Sequence, residues 1–287
     1  MQIGCLSKVF SRPTLEAVLD AAAAHELECI QLNLESAGLE PMPDTIPAGL
    51  VARIGRAAAA RRITIASVQG TFNMSHPEPV ERRVGLVRLA LIAEVAKDLG
   101  APYVAICLGT RDRENMWRYH PENGSPEAWS DMVACLGEAL EIAELAGVTL
   151  AFEPEVTNVV DSARQARRLL DEMRSPRLKV TMDGANLFHA GELSRMAAVL
   201  DESFALVGRD IVLAHAKDLS EDGEAGHEAA GHGLLDYDRY LSLLGAYGFA
   251  GPLLLHGLAE SQVPGCVSFL RTKLARVATR TASATPS

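Results

Sequence analysis

The chain has 287 residues, of which 48% are hydrophobic and 22% are charged, a balance typical of a folded globular protein. Its formal net charge of -10 argues against nucleic acid and anionic lipid as partners, because the average surface repels phosphate groups. The five cysteines are scattered without a C-x-x-C spacing, which indicates reduced core residues in a cytoplasmic protein. The chain starts with a strand-like run unlike a signal peptide, and no apolar stretch approaches 18 residues, so we expect no membrane span.

Short apolar runs alternate with longer stretches of helical period along the chain. The predicted strands are residues 2–5, 28–32, 63–68, 103–107, 148–153, 178–183, 211–215 and 252–256. The predicted helices are residues 14–24, 46–60, 80–99, 125–146, 162–173, 192–200, 237–247 and 262–275. The third helix is indicated by Val84, Val87, Leu91 and Val95, which recur at steps of three and four residues.

Boundary residues support these eight strand–helix units. Gly100 and Gly147 stand where helices should end, and Ser125 and Asp161 stand at expected N-caps. With no internal repeat or linker, one domain over residues 1–277 is expected, followed by a disordered tail at 278–287. A doubly wound open sheet is the alternative, but the G-x-G-x-x-G motif that such sheets often carry is absent. We therefore predict an α/β fold, a (β/α)8 TIM barrel with its active site at the carboxyl ends of the strands.

The last four predicted strands each end in a potential metal ligand: Glu153, Asp183, His215 and His256. One strand-end carboxylate alone is more often a helix cap or a salt-bridge partner. Four ionisable residues that end successive strands at one barrel mouth favour a shared site, because burying an unpaired charge is costly. Mixed carboxylate and imidazole ligands suit Mn²⁺, Co²⁺, Zn²⁺ or Fe²⁺ better than Ca²⁺, and Mg²⁺ is also compatible. Such an ion can polarise a carbonyl and stabilise the enediolate formed in sugar isomerisation.

Three motifs carry a resemblance to a known family. Residues 152–154 (Phe-Glu-Pro), 182–187 (Met-Asp-Gly-Ala-Asn-Leu) and 215–218 (His-Ala-Lys-Asp) resemble the metal-binding strand-five, strand-six and strand-seven segments of the xylose isomerase-like TIM-barrel superfamily. That superfamily includes sugar phosphate isomerases and epimerases and the apurinic endonuclease IV type. The resemblance covers about residues 1–274 and implies a metal-dependent barrel that acts on a sugar or sugar phosphate. One departure is His256, which stands where many ketose epimerases of the superfamily have a second glutamate that binds metal and exchanges a proton.

Further candidates surround the metal set. Glu153 is the candidate base, Lys217 would neutralise a phosphate or an enediolate oxygen, and His76 would donate a proton or contact substrate. An internal salt bridge is the alternative for Lys217, and a helix cap is the alternative for His76. The candidate substrate-binding residues lie in loops after the strands: Asn73, Arg111, Trp117, Glu155, Asn186 and His232.

Several of these loop residues have alternative interpretations. Trp117 could stack on a sugar or pack the loop itself, and Asn186 could bind a hydroxyl or cap a turn. Glu155 and Glu260 are the candidates to replace the missing strand-eight carboxylate, although each could be a surface acid.

The sequence thus predicts a divalent-metal-dependent sugar or sugar phosphate isomerase or epimerase that transfers a proton through an enediolate. The alternative is a metal-dependent lyase or dehydratase on a cyclic polyol or glycoside, since the same enediolate can expel a leaving group. The acidic charge disfavours a DNA repair nuclease, while a non-catalytic carbohydrate-binding barrel stays open. The expected partner is a small sugar, without nucleic acid or membrane, and a homo-oligomer is compatible with the sequence.

Overall fold

A closed barrel of parallel strands forms the centre of the molecule in the computed structural model, which describes residues 1–283. Its strands are β1 (Gln2–Leu6), β2 (Cys29–Leu32), β3 (Thr64–Gln69), β4 (Tyr103–Ile106), β5 (Thr149–Phe152), β6 (Leu178–Asp183), β7 (Ile211–Asp218) and β9 (Pro252–Leu255). The short strand β8 (Glu228–Ala229) pairs antiparallel with β7. Neighbouring barrel strands pair in chain order, and β9 closes the ring between β7 and β1. The predicted TIM barrel is confirmed.

Eight α-helices surround the barrel within residues 1–283. They are α1 (Leu15–Ala24), α2 (Leu50–Ala60), α3 (Pro79–Asp98), α4 (Pro126–Ala146), α5 (Ala163–Met173), α6 (Met196–Val207), α7 (Tyr237–Ala246) and α8 (Val263–Ser283). Ser125 caps α4 as predicted, and its side chain accepts a hydrogen bond from Ala128 N. The predicted cap Asp161 is wrong by one residue, because Ser162 is the extended residue whose side chain accepts from Gln165 N.

Helix α3 buries a face that only partly matches the one that the sequence indicated, since Val95 of the predicted set is buried. Leu86, Leu89 and Ile92 are buried against the core, whereas Val84 and Val87 are 38% and 58% exposed. Both sets recur at helical spacing, so the period identifies the helix without identifying its inner face.

Helices α6 and α8 also end at residues other than those that the sequence predicts, and α2 begins at Leu50 where residue 46 was predicted. Helix α6 begins at Met196, after a 3-10 turn at Leu193–Arg195, and continues to Val207, past the predicted end at residue 200. Helix α8 continues to Ser283, so residues 278–283 are helical where a disordered tail was predicted, and residues 284–287 lie outside the described part. Among the described helices, none has the length and apolar character needed to cross a membrane.

Small and aliphatic side chains fill the barrel interior. One hydrophobic cluster takes a single residue from each of seven strands: Leu6, Cys29, Ala66, Ala105, Ala151, Leu213 and Leu254. The larger cluster lies between the strands and the helices and includes Ile30, Val104 and Leu255. All five cysteines are buried and free, as predicted. Because side chains alternate along a strand, the residue two positions after an interior residue is expected to face the same interior, closer to the carboxyl end. Strand β3 departs from this pattern, since Val68, two positions after Ala66, lies in the larger cluster.

Candidate active site

A cavity of about 290 Å³ opens at the carboxyl ends of the strands. Its size is near the lower limit of about 300 Å³ for small-molecule pockets. The residues two positions after six of the interior residues all line it: Lys8, Gln31, Cys107, Glu153, His215 and His256. The alternation of the strands accounts for five of these side chains, whereas Lys8 reaches the same space from the 3-10 turn that follows β1.

Three of the predicted metal ligands converge beside this cavity. Asp183, His215 and His256 can each offer one ligand atom, and these atoms lie within 4.8 Å of one another. Asp183 Oδ2, both ring nitrogens of His215 and Nδ1 of His256 are buried and make no hydrogen bond within the described chain. Buried polar atoms are normally paired, so this convergence is the arrangement expected where a cation binds. One carboxylate and two imidazoles suit a divalent transition metal.

Glu153, the fourth predicted ligand, lies next to this group. Its Oε2 is 3.4 Å from His215 Nδ1. Its Oε1 accepts a hydrogen bond of 2.5 Å from Asn186 Nδ2, and Asn186 Oδ1 in turn accepts from Gly226 N at 2.8 Å. Asn186 is fully buried and does not line the cavity, so it contacts Glu153 where the sequence suggested a contact to substrate.

Lys217 adds a buried cation to the site. Its Nζ lies 3.1 Å from Asp183 Oδ2, and the side chain also lines the cavity. The predicted role at the substrate and the alternative of an internal salt bridge are therefore both compatible with its position. The next residue, Asp218, holds the glycine-rich turn before α7, because its carboxylate accepts from the backbone N–H groups of Gly231 and Leu235.

The charges of these groups depend on one another. Burial would raise the pKa of Asp183, but Lys217 and the two histidines hold it well below its usual range. Burial would lower the pKa of His215, but Glu153 and Asp183 raise it to about 9. Burial, together with Lys217 and His215, lowers the pKa of His256 well below its usual range. The lowered pKa values of Asp183 and His256 favour the ionised carboxylate and the neutral imidazole that bind metal, whereas the raised pKa of His215 favours a proton that a bound metal ion would displace.

Glu155 is a buried cavity residue and not a surface acid. Its side chain accepts hydrogen bonds from Thr157 Oγ1 at 2.5 Å and from Asn158 Nδ2 at 3.2 Å. Burial and the nearby Glu153 raise the pKa of Glu155 to about 7. The structure therefore brings this predicted residue to the cavity, close to Glu153.

Among the candidates in the other loops, Trp117 reaches the cavity. It is 49% exposed and lines the cavity from the β4–α4 loop. His232 is exposed and lies outside the cavity lining. Glu260 also lies outside that lining, in an ion pair with Arg12.

The remaining candidates hold loops together outside the cavity lining. Asn73 Nδ2 donates to Thr110 O at 2.9 Å, and its Oδ1 accepts from Thr110 N. Arg111 Nη1 lies 2.7 Å from Asp131 Oδ2, so its charge is already paired. His76 Nδ1 accepts from Glu78 N at the start of α3, which is the capping contact considered as its alternative role.

Sequence reasoning missed several cavity residues. Lys8, Gln31, Gln69, Cys107, Thr71 and Thr181 all line the cavity. The missed signal lay in the strands, because Lys8, Gln31 and Cys107 each follow a small or aliphatic interior residue by two positions.

Comparisons with known proteins agree with this architecture. The sequence model of the xylose isomerase-like TIM barrel family matches residues 19–266. A ketose 3-epimerase from Arthrobacter globiformis is 23% identical over 194 residues, which cover 67% of this chain and 61% of that relative, less than two thirds of its length.

Two solved structures, at identities that establish a shared fold alone, also resemble the chain. An L-ribulose 3-epimerase has a TM-score of 0.78 and 17% identity, with 99% of this chain and 98% of that chain covered. A probable 3-DHS dehydratase from Bacillus anthracis has a TM-score of 0.71 and 13% identity, with 94% and 99% covered. The match of the family model over most of the sequence identifies the chain as a member of the xylose isomerase-like TIM barrel family.

Proposed function

We propose that this protein is a divalent-metal-dependent isomerase or epimerase of a small sugar or sugar phosphate. The observation that carries the proposal is the group of Asp183, His215 and His256, whose possible ligand atoms lie within 4.8 Å of one another beside a cavity of small-molecule size. The ketose and ribulose 3-epimerases among the similar proteins support a sugar as the substrate class.

Each group at the site has a task in this proposal. When bound by Asp183, His215 and His256, with Glu153 as a fourth ligand, a divalent ion supplies Lewis acidity that polarises a carbonyl and its neighbouring hydroxyl. Glu153 also acts as the base: Asn186 orients the carboxylate through Oε1, and Oε2, beside His215, takes and returns the proton. Lys217 donates a hydrogen bond to a substrate oxygen from the cavity lining while it balances the charge of Asp183.

The placement of the acids supports a second candidate, a metal-dependent lyase or dehydratase. Glu153 and Glu155 are the acids among the cavity-lining residues, and both follow β5, whereas His256 follows β9. A base on one side of the substrate suffices for elimination or for 1,2-isomerisation. Epimerisation exchanges the proton between opposite faces and needs a second group across the substrate. Product mass separates the candidates, because isomerisation conserves it and dehydration lowers it by one water.

Metal analysis tests the proposal directly. We expect about one divalent ion per chain in the wild type after reconstitution with Mn²⁺, and a loss of that ion in Asp183→Asn and in His256→Ala. His189→Ala, which removes a histidine outside the cavity lining, serves as the matched control and should retain the ion. Conversion of ketose isomers, followed by chromatography, should depend on the ion. A wild type that binds no divalent metal, or converts sugars equally well without it, contradicts the proposal.

A further inference from the structure

The side of the cavity opposite the acids has a different chemistry. Strands β1, β2 and β3 are neighbours, and the residues that line this side include Gln31 and Gln69 at the carboxyl ends of β2 and β3 and Lys8 in the 3-10 turn that follows β1. We call these three residues the β1–β3 wall. The metal cluster and both acids come from strands β5, β6, β7 and β9 or the loops that follow them.

Both glutamines of this wall are held by their oxygen atoms. Gln31 Oε1 accepts a hydrogen bond of 3.2 Å from Ser67 Oγ, and Gln69 Oε1 accepts from Asn33 Nδ2. Ser67 and Asn33 are fully buried, so these anchors are part of the core. Within residues 1–283, neither glutamine nitrogen donates a hydrogen bond to the protein. Each carboxamide therefore presents its NH₂ group, which is a donor alone.

Lys8 adds an unpaired cation to this wall. It is exposed, and it makes no hydrogen bond or ion pair in the part of the chain that the structure describes. Lys217, the other lysine of the cavity lining, is already paired with Asp183. Arg111, which the sequence suggested as a phosphate ligand, is paired with Asp131. Lys8 is therefore the cavity-lining lysine whose charge has no counter-ion in the described chain.

We propose that Lys8, Gln31 and Gln69 form a subsite for an oxyanion, a carboxylate or a phosphate carried at the non-reacting end of the sugar. A sugar hydroxyl both donates and accepts hydrogen bonds, whereas an oxyanion only accepts and so matches a wall of donors. The inference rests on the proposed function and narrows its substrate class to acidic sugars and sugar phosphates.

Matched ketose triplets test the subsite by equilibrium binding. D-fructose, D-fructuronate and D-fructose 6-phosphate differ only at the sixth carbon, and equivalent triplets of the other ketohexoses extend the panel. Binding to the Mn²⁺-loaded protein is measured by titration calorimetry for the wild type, Lys8→Met, Lys8→Arg and Gln31→Glu. Lys97→Met removes a lysine from the outer surface of α3 and is the matched control.

We expect at least one charged sugar to bind about tenfold or more tightly than its neutral partner, the effect of one charge-assisted hydrogen bond. Lys8→Met and Gln31→Glu should abolish this preference, so that each variant binds the charged and the neutral sugar with about the same affinity, whereas Lys8→Arg and Lys97→Met should preserve it. A preference for the uronate identifies a carboxylate, and a preference for the ester identifies a phosphate.

Two results would overturn the subsite and leave the proposed isomerase standing. In the first result, a neutral ketose binds as tightly as its charged partners. In the second, Lys8→Met still binds the charged sugar more tightly than the neutral one, as it would if the anion bound only to the metal. If no sugar of any charge binds, both the subsite and the proposed function fail.

Discussion

The buried pair of Lys217 and Asp183 should stabilise the metal-free protein strongly. Lys217 Nζ lies 3.1 Å from Asp183 Oδ2, and the two side chains are 5% and 0% exposed. Lys217→Met retains most of the aliphatic volume and removes the charge, which leaves the carboxylate of Asp183 with His215 as its remaining close cation. Removing one partner of a buried pair costs about 3–5 kcal/mol. We therefore expect the free energy of unfolding, measured in urea with a chelator present, to fall by about 3 kcal/mol.

A second lysine–aspartate pair provides the control. Lys179 Nζ lies 2.7 Å from Asp210 Oδ1, but these side chains are 31% and 22% exposed, and Arg167 also pairs with Asp210. Lys179→Met should cost no more than about 1 kcal/mol. Saturating Mn²⁺ should restore more of the lost free energy of unfolding in Lys217→Met than in Lys179→Met, because a cation bound beside Asp183 replaces the missing ammonium group.

The pH dependence has a definite sign. Burial would raise the pKa of Asp183, but Lys217 helps to hold it well below its usual range. The stability from this ionised pair is present above the unfolded pKa of about 4 and is lost as the pH falls towards the lower folded value. The difference in the free energy of unfolding between the wild type and Lys217→Met should therefore become smaller as the pH falls. Two results would refute this reasoning. One is an equal fall in the free energy of unfolding in Lys217→Met and Lys179→Met, and the other is a fall in Lys217→Met that Mn²⁺ does not reduce.

Three further predictions concern the loops around the cavity. Sugar binding should change the fluorescence of Trp117, so Trp117→Phe should abolish the change and Trp129→Phe, at a buried site, should keep it. Asn73→Ala should lower the free energy of unfolding by about 1–3 kcal/mol and leave sugar affinity unchanged in calorimetry, whereas the opposite pattern would indicate a substrate contact. Arg118 and backbone N–H groups hold the pKa of Asp112 well below its usual range, so these bonds persist above about pH 4 and weaken as the pH falls. Limited proteolysis of the β4–α4 loop should accordingly become faster in acid in the wild type and should be fast at every pH in Asp112→Ala. Slow proteolysis of Asp112→Ala at neutral pH would contradict this prediction.

The barrel and the convergence of the candidate metal ligands were predictable because both depend on local sequence patterns. Eight apolar runs separated by helical stretches indicate the strands, and parallel strands bring their carboxyl ends to one mouth. Asp183, His215 and His256 converge there with ligand atoms within 4.8 Å of one another. Their identification needed only the position at which each apolar run stops.

The loop contacts could not be predicted in the same way because they depend on distant partners. Arg111 is paired with Asp131, which lies on α4, and Asn73 is bound to Thr110 in the loop of the next strand. Nothing near either residue in sequence indicates that its polar atoms are already satisfied. His76 is the converse case, since its contact with Glu78 N is local and was foreseeable as a cap.

The place of His256 follows from the same alternation that places the other cavity residues. Leu254 lies in the barrel interior, and His256, two residues later, lines the cavity as the alternation of side chains predicts. The departure from the glutamate found at this position in many related epimerases therefore changes the chemistry of the group and not its location. A neutral imidazole can still bind a metal ion, and burial with the nearby Lys217 and His215 lowers the pKa of His256, which disfavours its protonated form. This supports a site that retains metal binding while proton transfer is concentrated on the β5 side, at Glu153.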